Sequence, residues 1–129
     1  MKAKIDLGAH LLLGAVFFVF GLNGFFEFLP VPELDGRAAE YMSGLATAPY
    51  FFPVLKVVEV LAGAMLLLRR FVPLALVLLA PVVVQILLFH TMAPEGLPVA
   101  VLVTALTAYL GFFVYRDSFR TVLLSRPEI

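Results

Sequence analysis

The chain has 129 residues, of which 63% are hydrophobic and 14% charged, and its nine basic and nine acidic side chains cancel. A soluble domain of this size is about 45–50% apolar and leaves roughly 30–40% of its unfolded surface in water, so the composition excludes a water-soluble fold and a disordered chain. Zero net charge excludes a nucleic-acid partner, and the lack of cysteine excludes disulfides, thiolate metal sites, cysteine-ligated iron–sulfur clusters and thiol redox relays.

What remains is an all-α fold, a polytopic membrane four-helix bundle forming a single domain over residues 1–129. A spanning helix takes about 20 mostly apolar residues. Runs this continuous, without alternation, satisfy their backbone in lipid as helices. The first predicted span covers 7–28. Lys2 and Lys4 ahead of it imitate a secretory signal, but Gly21-Leu22-Asn23-Gly24 offers no small-residue cleavage site, so an uncleaved helix is expected. The outer loop, 30–49, is bracketed by Pro30, Pro32 and Pro49. Within it Ala38, Tyr41, Met42 and Leu45 recur at helical spacing after Asp35, a natural N-cap. This predicts a short amphipathic helix at the outer interface, either closing the bundle or acting as a lid over a cavity.

The second span, 50–69, carries Lys56 and Glu59. Arg69-Arg70 joins it to the third span, 71–92, which makes the two antiparallel neighbours. The third span contains Pro81 and, one turn later, Gln85. After a short outer loop at 93–96, the fourth span covers 97–116. Lys2, Lys4, Arg69, Arg70, Arg116, Arg120 and Arg126 fall on one side of this arrangement, against Arg37 alone on the other. Lys and Arg collect in cytoplasmic loops, so both termini are expected in the cytoplasm.

Ionisable groups inside a membrane are candidates for function, because each costs about 2.5–3.5 kcal/mol at mid-bilayer. At about 1.5 Å rise per residue, Asn23 lies ~7 Å below the outer helix end, Lys56 ~9 Å, Gln85 and Thr104 ~10 Å and Glu59 ~13 Å, with Glu27 and His90 within ~3 Å of it. Every span thus sends a polar group into one layer beneath the outer surface, and the inner half holds almost nothing polar except His10 and Thr107. Asn23 and Glu27 share one face of their helix, as do Lys56, Glu59 and Gly63. Thr104, Thr107, Gly111 and Tyr115 form a third stripe. The expected ligand-binding set is therefore Asn23, Glu27, Lys56, Glu59, Gln85, His90 and Thr104. The alternative is a Lys56–Glu59 ion pair that only sets helix register.

His10 and His90 lie near opposite faces, too far apart to clasp one haem. Glu27, His90 and Glu95 have no metal-ligand spacing, so no metal site is expected. The 13 Phe residues, six of them between Phe17 and Phe28, mostly pack or face lipid, and a few can line a slot for a quinone or lipid tail.

Gly21-Leu22-Asn23-Gly24-Phe25-Phe26, then Leu29-Pro30-Val31-Pro32, together with Phe52 through Lys56, Glu59 and Gly63, and Arg70 through Pro81 followed by Leu88-Phe89-His90, resembles the DoxX family of small bacterial membrane proteins over nearly the whole chain. The resemblance implies a four-helix bundle in the bacterial inner membrane, in the neighbourhood of quinone-dependent sulfur oxidation and oxidative-stress redox complexes. The resulting expectation is a non-catalytic subunit or binding protein of a quinone-linked redox system. In it Lys56 donates to an acceptor oxygen, Gln85 and Asn23 orient the headgroup, and Glu59 holds a proton. The alternatives are a quinone-linked oxidoreductase in its own right and a small proton-coupled transporter. Quinone is the one cofactor the reading admits. The expected partners are the lipid bilayer, membrane or redox proteins, and a second copy of the chain through the glycine-bearing face of the first span.

Overall fold

The computed structural model describes residues 1–30 and 33–126, so Val31 and Pro32 of the outer-loop motif lie outside the described residues. Among these there is no strand. The elements are α1 (Lys2–Phe26), α2 (Gly36–Ala46), α3 (Phe51–Leu68), α4 (Val72–Phe89), a 3-10 turn (Pro94–Gly96), α5 (Leu97–Tyr109), a π-helical turn (Leu110–Val114) and α6 (Arg116–Arg120). Lys2–Phe26, Phe51–Leu68, Val72–Phe89 and Pro94–Val114 are each long and apolar enough to cross a membrane. Their outward faces carry Leu11, Val19, Phe20, Val57, Leu61, Val77, Val84 and Leu102, all exposed. Contiguous apolar surface on this scale needs lipid around it. The chain is a multi-pass membrane protein.

The span limits differ from those the apolar runs indicate. Helix α1 starts at Lys2 rather than at 7, because Lys2, Ala3 and Lys4 form helix readily and the hydrogen bonding does not depend on the hydropathy that begins at Leu7. It ends at Phe26, where Glu27 turns left-handed (φ 49°) and its N–H returns to the Asn23 carbonyl. Helix α4 ends at Phe89 instead of 92, closed by the His90 N–H on the Ile86 carbonyl. The last span is not one α-helix over 97–116. Its α-helical part stops at Tyr109, and the following turn is closed by the Tyr115 N–H on the Leu110 carbonyl at 2.8 Å, an i→i−5 bond. Such a turn puts Tyr115 out of phase with an unbroken helix, so the stripe Thr104, Thr107, Gly111, Tyr115 loses its last member.

The helices pack in the order α1, α3, α4, α5. Helices α1 and α3 make the most extensive contact, and α1 meets α5 and the π turn only over a short stretch. Glycine explains the first of these. A Cβ on Gly63 would stand 2.6 Å from the Phe18 nitrogen and 2.9 Å from the Gly14 oxygen, so the two backbones touch where the helices cross. Leu13, Phe17, Leu66, Leu76, Leu79, Val103 and Leu110 fill the space between the four helices. Helix α2 packs on α3 and reaches α4 through Tyr41, whose ring lies 6.0 Å from that of Phe89.

Candidate functional site

Helix α3 presents Lys56, Glu59 and Gly63 along one face, and that face meets α1. Lys56 Nζ donates to Glu59 Oε2 at 3.1 Å; the two side chains are 25% and 7% exposed. Glycines on α1 make room for the pair. A Cβ on Gly24 would stand 2.5 Å from Lys56 Cγ, and one on Gly21 3.2 Å from Glu59 Cβ. The lysine stem therefore runs across Gly24 and the acid is covered at Gly21. A buried carboxylate needs a counter-ion or a proton; here the ammonium one turn earlier supplies the counter-ion. Alongside the same seam lies an open groove of 490 Å³ walled by Leu22, Phe25 and Phe26 of α1 and Val57, Val60 and Leu61 of α3.

The other predicted site residues do not share hydrogen bonds with this pair. Asn23 is buried on α1, and its Oδ1 accepts from the Leu29 N–H at 2.7 Å, fastening the chain as it leaves the helix. Glu27 is exposed at the left-handed end of α1. Gln85 is also exposed, and its amide donates to the Tyr41 hydroxyl, so it tethers α2 to α4. His90 donates from Nδ1 to the Ile86 carbonyl at 2.8 Å, and its ring fills the space beside Gly96. Thr104 donates to its own helix, to Ala100 oxygen at 2.7 Å. Asn23, Gln85, His90 and Thr104 thus each have a partner of their own, and none of these partners is Lys56 or Glu59. No group of three or more His, Cys, Asp or Glu among the described residues is placed to hold a metal ion.

A second polar cluster, at the opposite end, was not expected from the sequence. Asp6 and His10 lie one turn apart on α1, and both reach the end of the last span. The Tyr109 hydroxyl donates to Asp6 Oδ1 at 2.5 Å, and His10 Nε2 lies 2.7 Å from the Tyr115 hydroxyl. His10 is buried, and its Nδ1 lies 2.6 Å from the Asp6 carbonyl oxygen. A carbonyl only accepts, so Nδ1 carries the proton, and in the neutral ring Nε2 accepts from Tyr115. The π turn brings Tyr115 round to this position. The Asp6/His10 spacing was a usable signal, but Asp6 falls one residue before the apolar run and Tyr115 reads as an interfacial aromatic.

No protein-family model, curated protein or solved structure matches the chain.

Proposed function

We propose that this chain is a non-catalytic, DoxX-like membrane subunit or binding protein of a quinone-linked redox system. Its ligand is an amphiphile with an acceptor oxygen in the headgroup, a quinone being the fitting class. The observation that carries the reading is the state of Lys56. An ammonium has three donors; Glu59 takes one, and a quarter of the side chain remains exposed. Next to it, the Leu22–Leu61 groove is lined by apolar side chains and open to the bilayer. A quinone matches this combination of an apolar body and two carbonyl acceptors. The two sequence segments that resemble the DoxX family, Gly21–Phe26 and Phe52–Gly63, form the two walls of this seam. The bias of Lys and Arg toward the ends that carry the termini supports a bacterial inner-membrane orientation with both termini cytoplasmic.

The test is binding of a short-tailed ubiquinone to the purified full chain in nanodiscs, followed by titration calorimetry. The wild type binds saturably, and Lys56→Met does not, at unchanged helical content. If Lys56→Met fails to fold, the double variant Lys56→Met/Glu59→Leu removes both charges together and serves the same purpose. Absence of binding by the wild type, or equal binding by the variants, overturns the reading.

A further inference from the structure

The opposite end of the bundle combines its polar cluster with a groove of its own. Between α1 and α5 runs an open groove of 290 Å³ bordered by Ile5, Gly8 and Leu12 on one side and Ala105 and Tyr109 on the other. The space over Gly8 is open, since a Cβ there would meet nothing within 4 Å. The lining is almost wholly apolar and only as wide as the gap between two helices, which suits a single hydrocarbon chain. At its end stands Asp6, half-buried, with one carboxylate oxygen taken by Tyr109.

The charges around that end do not cancel one another within the protein. Lys2 precedes Asp6 by four residues on the same helix face, the spacing at which such pairs usually form. Yet the single salt bridge among the described residues is Lys56–Glu59. Asp6 has turned to Tyr109 instead, and Lys2 and Lys4 are exposed. A purely anionic headgroup would suit the lysines and be repelled by Asp6, and a purely cationic one would do the reverse. A headgroup bearing an ammonium and a phosphate a few atoms apart satisfies both, and its acyl chain has the groove to occupy.

We propose that the α1/α5 groove holds one acyl chain of an aminophospholipid from the leaflet nearer the termini. Its primary ammonium is bound by Asp6 Oδ2 and its phosphate by Lys2. Tyr109 is a positioning residue that holds the carboxylate at the mouth of the groove. This second ligand site lies at the other end of the molecule from Lys56 and is independent of what binds there.

The full chain is reconstituted in vesicles of phosphatidylethanolamine, phosphatidylcholine and phosphatidylglycerol in equal parts, released into detergent, and examined by native mass spectrometry for retained lipid. A charge-assisted hydrogen bond to the ammonium predicts about tenfold enrichment of phosphatidylethanolamine over phosphatidylcholine, whose quaternary nitrogen has no N–H to donate. Gly8→Leu, whose Cβ has open space around it, places an isobutyl group in the groove and abolishes retention at unchanged helical content. Asp6→Asn keeps an oxygen for Tyr109, so the fold survives, and it loses the preference for phosphatidylethanolamine over phosphatidylcholine. Equal retention of the three lipids, preferential retention of phosphatidylglycerol, or a phosphatidylethanolamine preference that survives in both variants overturns the proposal.

Discussion

Gly63→Ala tests whether the contact of α1 with α3 depends on backbone touching backbone. The added methyl would sit 2.6 Å from the Phe18 nitrogen, where ordinary contacts begin at 3.4 Å, so the helices must separate by about 0.8 Å at the crossing. No flexible side chain can yield there, because the obstructing atoms are the Phe18 and Gly14 backbones. A gap of 0.5–1 Å forfeits roughly a quarter to a half of each pairwise attraction across it, and overpacking of this kind costs about 1–3 kcal/mol. We expect about 2 kcal/mol for Gly63→Ala and more for Gly63→Val. Gly44→Ala in α2 is the control: nothing lies within 4 Å of its added methyl, and alanine's better helix propensity makes the change neutral or favourable by up to about 1 kcal/mol. Reversible unfolding in mixed detergent micelles, followed by circular dichroism, measures both. If Gly63→Ala is as harmless as Gly44→Ala, the two helices do not cross where we place them.

Three further outcomes follow from particular contacts. Lys56→Met alone leaves a covered carboxylate without its ammonium and should cost about 2–3 kcal/mol, below the 3–5 of a fully buried pair because Lys56 is 25% exposed. Adding Glu59→Leu should recover most of that loss, and a double-mutant cycle by micelle unfolding shows whether it does. Arg69 closes α3 in the left-handed conformation (φ 53°). Arg69→Gly should therefore gain about 0.5–1 kcal/mol, read as a higher melting temperature, and a lower one would contradict the assigned backbone. Tyr41→Phe removes the partner of the Gln85 amide, worth about 1 kcal/mol. Amide exchange should quicken across 36–46 while α3 and α4 keep their protection; uniform exchange throughout would show that this bond does not hold α2.

The spans were readable because hydropathy over 18 or more residues is the physical requirement for crossing a bilayer, and four such segments stand in the chain. The Lys56–Glu59 pairing was equally readable, since spacing along one helix decides which side chains meet. Convergence of seven polar groups on one pocket was a different matter. Depth along a helix follows from residue number, but direction around the bundle depends on packing. Gln85 turns to Tyr41 of α2, and Thr104 to its own backbone. Asp6 escaped notice because it stands just outside an apolar window that the helix itself ignores. The π turn at 110–114 has no periodicity signal, and it alone breaks the last span and turns Tyr115 toward His10.

The narrow meeting of α1 with α5 leaves the palisade of helices latched on one flank only at its foot. Away from the Asp6–Tyr109 and His10–Tyr115 links, α1 is gripped mainly on the α3 side. Helices α3, α4 and α5 hold together through successive contacts of similar extent, and α1 joins this row chiefly through α3. Cutting the foot latch with His10→Ala and Tyr109→Phe would free one long edge of α1 while the other three helices stay assembled.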